Sequence, residues 1–215
     1  MPDHGHDHPS LDLRRQLGDI DIYLFDQIVR GRFDARRRVL DAGCGGGRNL
    51  IWFLQNGYDV CALDGEPAAV SAVRELSARL APALPSSNIR QGALDAIPWP
   101  DASMDAVVSS AVLHFAVDDG HFERMVEELW RVLSPGGLLF ARLASSIGLE
   151  HLLTRSTGRV RLPDGSDRFV VSERMLLEWT ERLDADLVDP IKTTNVQGLR
   201  CMTTWCLQKR RAIKG

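Results

Sequence analysis

The stretch RRVLDAGCGGGRNL, residues 37–50, decides the reading of this chain. Val39 and Leu40 run into Asp41, and Gly43, Gly45, Gly46 and Gly47 follow within five positions. An aliphatic run of this length reads as a strand, and the glycines after it read as a turn whose backbone approaches a ligand closely.

The pattern outward from this stretch alternates. A helical spacing of Ile20, Leu24 and Ile28 precedes it, from about Asp19 to Arg30. RNLIWFLQNG then reads as a helix stopped at Asn56-Gly57, and YDVCALD as the next strand. Pro67 opens a long helix, PAAVSAVRELSARLA, at a position that suits proline. NIRQG and MDAVVSS are strands, HFERMVEELWRVL is a helix, and LLFARLA is a strand after the turn SPGG. Alternation of this kind implies an α/β fold, with a parallel sheet covered on both faces. Further on, GRVRLPDGSDRFVV reads as a hairpin around Pro163-Asp164-Gly165. Ser172 caps a helix carrying Met175, Leu176, Trp179 and Leu183, and ADLVDPIKTTNVQGLRCMTTWCLQK, residues 185–209, gives two antiparallel strands joined near Gly198. No internal repeat and no second domain is visible.

The glycine spacing selects the ligand. A dinucleotide turn needs G-x-G-x-x-G, but Arg48 stands at the third position and the glycine comes one residue early, at Gly47. Asp41 would repel a pyrophosphate held at the turn and attract a cation. Asp64, 21 residues beyond Gly43 and at the end of the next strand, is placed to accept from both ribose hydroxyls. A nucleoside with an ammonium and a sulfonium and no phosphate fits this set: S-adenosylmethionine, leaving as S-adenosylhomocysteine. The alternative is a plain tight turn with helix-capping aspartates.

Composition sets the limits. The chain has 215 residues, enough for one domain, and 44% hydrophobic and 26% charged residues are ordinary for a globular protein. A net charge of −3 supplies no field for nucleic acid or anionic membrane. No apolar run is long enough to span a membrane, and MPDHGHDHPS lacks the pattern of a secretory signal. Cys44, Cys61, Cys201 and Cys206 form no CxxC pair and read as reduced cysteines of a cytoplasmic protein. Residues 1–10 read as a disordered tail; His4, His6 and His8 alternate there without a rigid element to aim them, so no metal site is expected. The rest, 11–215, is expected to be one domain, with a helical lid at about 11–35 and a hairpin insert at about 157–172. The lid expectation rests on the stripe Ile20, Leu24 and Ile28, which must bury itself somewhere and lies near the sheet's rim.

The sequence resembles the class I S-adenosylmethionine-dependent methyltransferases. The carrying stretches are VLDAGCGGGRN, CALDGEP, GALDAIPWPDASMDAVVSSAVLHF and LSPGGLLF, in that order, over about Arg37 to Leu143. GGGRN followed by GYDV is also similar to the tellurite and thiopurine methyltransferase branch. The resemblance implies a Rossmann-like three-layer sandwich, seven strands parallel except the last, with the cofactor over their carboxyl ends. It implies Asp41 near the cofactor's amino group, Gly43, Gly45 and Gly47 along its methionine portion, and Asp64 on the ribose. Arg48 and Gly65 complete these contacts, Ala93 and Leu94 border the adenine, and Ser110, Ala111 and His114 lie beside the sulfonium. Relatives often carry an acidic residue where Ala93 stands; Asp95 substitutes only if the loop shifts. His114 is the candidate general base, and Tyr23 and Arg142 are candidates to close the pocket and face an acceptor. The expected acceptor is a small molecule. An RNA or protein acceptor, or a non-catalytic S-adenosylmethionine-binding protein, is the alternative. Neither an added domain nor a basic face favours nucleic acid, and the hairpin insert is a candidate substrate cover or homodimer contact.

Overall fold

A computed structural model of the chain describes residues 9–211. The expected disordered tail with its three histidines lies outside those residues, save Pro9 and Ser10, which open a helix. The elements in order are α1 (Pro9–Leu17), α2 (Ile22–Val29), β1 (Arg38–Ala42), α3 (Ile51–Gln55), β2 (Asp59–Asp64), α4 (Pro67–Leu80), β3 (Ile89–Gln91) and β4 (Met104–Ser110). They continue with α5 (Asp119–Val132), β5 (Leu133–Ser145), β6 (Gly158–Arg161), β7 (Asp167–Val170), α6 (Glu173–Arg182), β8 (Ala185–Leu187), β9 (Lys192–Val196) and β10 (Arg200–Lys209).

Local chemistry sets the boundaries. Asp21 caps α2 by accepting from the Tyr23 backbone N–H at 2.9 Å, and Ser172 caps α6 by accepting from Met175 at 3.1 Å. Asn56 and Gly57 stop α3; Gly57 takes the left-handed conformation (φ +70°) that ends helices.

The sheet runs β3-β2-β1-β4-β5-β10-β8, with β9 also paired to β10. Strands β1 to β5 pair in parallel; β10 pairs antiparallel with β5, β8 and β9. This is the Rossmann-like sandwich of the expectation, with one reversed strand. The run before Gly198 gives two strands rather than one. β8 and β9 take successive stretches of the same edge of β10, and the segment between them contains Pro190, which has no N–H to give a ladder. β5 is longer than expected, because pairing with β4 resumes after the SPGG stretch with a shift of register.

Successive strand residues face opposite layers. Leu40, Cys61, Leu63, Val107 and Leu139 pack with Phe122, Met125, Leu129, Leu176 and Trp179 of α5 and α6. Val39, Val60, Ala62, Val108 and Phe140 pack with Leu24, Phe53, Val70 and Val73 of α2, α3 and α4. The stripe assigned to a lid is therefore part of the second core: Leu24 and Ile28 are buried in it. The sheet's open face took the stripe because it offers more dry area than the rim. Only the start of α2, Asp21 and Tyr23, reaches the rim. The hairpin β6–β7 folds back on its own chain, with Phe169 stacked on Phe122 at 4.8 Å between ring centres.

Candidate active site

The turn after β1 is tied to its neighbour first. Gly43 and Cys44 both donate to the Leu63 carbonyl, at 2.8 and 3.0 Å. Gly43 has φ +85°, and a Cβ there would overlap Val112 Cγ2. Gly45 also has positive φ, yet a Cβ there or on Gly46 would meet nothing within 4 Å. The backbone thus faces open space, a cleft of about 660 Å³. Residues at and beyond the ends of four parallel strands wall it: Gly43 to Gly46, Arg48 and Asn49 beyond β1; Asp64, Gly65 and Glu66 at the end of β2; Leu94 beyond β3; Ser110, Ala111, Val112 and Phe115 at the end of β4. Binding at carboxyl ends of the strands is the rule for open α/β sheets.

Not every expected residue is on that wall. Gly47 is buried against α4, where a Cβ would lie 2.8 Å from Leu76 Cδ2, so its missing side chain serves packing. Ala93 is exposed and off the wall, and Leu94 takes its place. Asp95 does not substitute: it lies 3.8 Å from both His121 Nε2 and Arg124 Nε. Asp41 sits behind the turn, 1% exposed, and neither carboxyl oxygen has a hydrogen-bond partner. Burial raises its pKa to about 7, against the attraction of Arg48 and with the repulsion of Asp64. Asp64 is engaged at both oxygens, accepting from Gly45 at 2.8 Å and Glu66 at 3.0 Å.

A buried network adjoins the cleft. Asp21 Oδ2 accepts from Ser110 Oγ at 2.8 Å and from Arg142 Nη1 at 3.2 Å, with Arg48 Nη2 at 3.8 Å. Asp21 N–H donates to Asn49 Oδ1 at 3.0 Å. The Arg142 guanidinium lies over the Tyr23 ring at 4.9 Å, and the Tyr23 hydroxyl bonds Thr194 Oγ1.

A second cavity, about 250 Å³, meets the cleft at Ala111. Ala111 itself has φ +64°, a left-handed conformation unusual for a residue with a Cβ. His114 lines this second cavity instead of the main cleft. It is 6% exposed, and its Nδ1 has no partner. Burial, Arg168 and Arg142 together lower its pKa to about 4. Such an imidazole is neutral at pH 7 and a weak base, which departs from the matched pKa of the expected general base.

The methyltransferase domain family matches residues 40–141. A probable S-adenosylmethionine-dependent methyltransferase of Mycolicibacterium smegmatis is 38% identical over 125 residues, 58% of this chain and 42% of that protein. Residues 40–141 thus resemble methyltransferase domains, and the first relative they match is named a probable S-adenosylmethionine-dependent methyltransferase. Solved structures share the fold. An S-adenosylmethionine-dependent methyltransferase of Methanosarcina mazei superposes with a TM-score of 0.65 at 19% identity, over 86% of this chain and 98% of that one. The Burkholderia thailandensis 1,6-didemethyltoxoflavin-N1-methyltransferase, with bound 1,6-didemethyltoxoflavin and S-adenosylhomocysteine, gives 0.65 at 17% identity, over 94% and 82%. The chain spans about half the length of the curated relatives it matches, 42% and 60% of the first two.

The chain's own residues fit S-adenosylmethionine. Both carboxyl oxygens of Asp41, behind the turn, lack a hydrogen-bond partner, and Arg48, the cation on the turn, attracts Asp41 while its Nη2 lies 3.8 Å from Asp21. Among the described residues no group of three or more His, Cys, Asp or Glu side chains is arranged to hold a metal ion. Asp21, Asn49 and Phe115 escaped the sequence reading. Asp21 reads in sequence as a helix cap, which it also is; Phe115 carries a signal, since a large apolar residue after a strand-end turn has little to pack on unless a ligand covers it.

Proposed function

We infer that the chain transfers a methyl group from S-adenosylmethionine to a small molecule. One observation carries this: a second, half-open cavity of only about 250 Å³ meets the cleft at Ala111. When bound, S-adenosylmethionine supplies a methyl group on a positively charged sulfur. The chain's residues then hold and dry the site. Asp41, Gly43, Gly45 and Arg48 flank the methionine portion, Asp64 and Gly65 the ribose, and Leu94, Val112 and Phe115 the adenine. Much of the rate in such a transfer comes from holding acceptor and donor in line without water. The contact of Asp21 with Ser110 and Arg142 closes the rim above that line, so the lid role falls to the start of α2. His114 is too weak a base at neutral pH to be needed, and acceptors that carry no early-leaving proton need none.

RNA or protein acceptors would call for a wider approach than this cavity offers. A non-catalytic S-adenosylmethionine-binding role would need no second cavity. Likeness to the tellurite and thiopurine branch rests on the GGGRN and GYDV stretches alone. The four cysteines are free and buried, in keeping with a reducing, cytoplasmic setting. Among the described residues no helix is long and apolar enough to cross a membrane. The test is methyl-labelled S-adenosylmethionine offered with metabolite extract, total tRNA and cell protein in separate reactions. Label should enter the metabolite fraction; label only in RNA or protein would overturn the reading.

A further inference from the structure

We propose that the second cavity holds an acceptor bearing an oxyanion, carboxylate or phosphate, on an apolar body, gripped by Arg168 and Arg200. This rests on the methyl-transfer reading for the word acceptor, whereas the anion site stands on its own residues. Three arginines line the cavity, Arg142, Arg168 and Arg200, and they come from β5, β7 and β10. Asp164 is the only carboxylate on that wall. Its Oδ2 is 3.6 Å from Arg200 Nη1, while its Oδ1 accepts from the Ser166 hydroxyl and N–H at 2.6 and 2.9 Å. Arg142 is held by Asp21. Arg168 makes no carboxylate contact within 4 Å among the described residues, although Asp164 attracts it; it lies over the Phe115 ring at 5.1 Å and gives one Nη1 bond to the Asp167 carbonyl. Two buried donors or acceptors here are also unspent, Arg142 Nε and His114 Nδ1. Guanidinium groups left this way in a partly enclosed space match a planar or tetrahedral oxyanion. Ala144, Leu162 and Met202 supply the apolar remainder of the wall. The insert thereby acquires a role: β6, β7 and their turn carry Leu162, Asp164, Ser166 and Arg168 into the cavity.

The test is calorimetric titration of the full chain with benzoate, its neutral isostere benzamide, and inorganic phosphate, each with and without S-adenosylhomocysteine. Benzoate or phosphate should bind about tenfold tighter than benzamide, as loss of a charge-assisted bond implies. Arg168→Gln and, separately, Arg200→Gln should each weaken the anion about tenfold while S-adenosylhomocysteine binds as before. Preference between benzoate and phosphate assigns the anion's chemistry. Equal binding of benzamide, no binding of either anion, or anion binding unchanged in both variants overturns the proposal. Anion binding that persists while S-adenosylhomocysteine fails to bind would instead overturn the methyl-donor reading.

Discussion

Asp21, the cap of α2, and Ser110, the last residue of β4, meet at 2.8 Å in a buried contact across 89 positions of sequence. The same carboxyl oxygen holds Arg142, so one residue ties α2 to the strands β4 and β5. Removing charge there leaves a guanidinium without its partner. Asp21→Asn keeps the helix cap and should destabilise the fold by about 3–5 kcal/mol in denaturant titration, the range for breaking a buried pair from one side. Arg142→Met on top of it should cost less than the sum of the two single changes. Additive effects would show that the pair is not coupled.

Asp41 should couple methyl-donor binding to pH. Its carboxyl titrates at about 7 in the unliganded protein, and a cation beside it favours the ionised form. Binding of S-adenosylhomocysteine at pH 7 should release up to about half a proton, and affinity should rise between pH 6 and 8. Calorimetry in buffers of different ionisation enthalpy reads the proton directly. Asp41→Asn should abolish the release; a release of equal size in that variant would place the titrating group elsewhere.

Asp41 and His114, both buried, act on stability in opposite directions. His114, lowered to about 4, leaves the unfolded chain binding a proton that the folded one refuses. Its contribution is full above its unfolded pKa and is lost as pH falls toward 4. Asp41, raised from 3.8 to about 7, does the reverse: folded protein keeps the proton, and stability is lost as pH rises through that range. The unliganded wild type should therefore show a shallow dependence between pH 4.5 and 6.5. Asp41→Asn should gain about 1–3 kcal/mol at pH 8 and expose a stability that rises with pH, measured by urea titration. His114→Gln should expose the opposite slope.

Glycine substitutions should separate packing from binding. Gly47→Ala places a methyl 2.8 Å from Leu76 at φ +80°, and should cost about 2–4 kcal/mol of stability. Gly45→Ala meets open space, so only the backbone term of about 1–2 kcal/mol applies to folding. That methyl would stand in the cleft, so S-adenosylhomocysteine affinity should fall far more in Gly45→Ala than the stability loss explains. Equal affinity loss in the two variants would show that the turn contacts the ligand throughout.

Asp64→Ala should weaken S-adenosylhomocysteine binding by about 1.5–3 kcal/mol, the scale of a hydrogen bond to a charged group. The variant should also loosen the turn, because Asp64 receives the Gly45 and Glu66 N–H groups. Faster amide exchange at Gly45 and an unaltered exchange in α5 are the expected signature; unchanged affinity would place the ribose elsewhere.

The sequence alone determined the alternation of strands and helices from β1 to β5, and the pair Asp41 and Asp64 flanking a glycine turn. These depend on neighbours within one strand-turn-helix-strand unit, where periodicity, caps and positive-φ residues act at short range. It could not determine that Leu24 and Ile28 join the core, that Gly47 packs on α4, or that His114 is buried on the wall of the second cavity. Those follow from which face of the sheet dries a given side chain and how much water that removes. Tertiary structure alone decided the contacts of Asp21 with Ser110 and Arg142, and the convergence of Arg142, Arg168 and Arg200 on one cavity. These residues lie on separate elements, and their meeting is fixed by sheet order and by the hairpin's return, not by spacing along the chain. A charged side chain reads in sequence as a solvated surface, and only desolvation by the assembled fold turns it into part of a site.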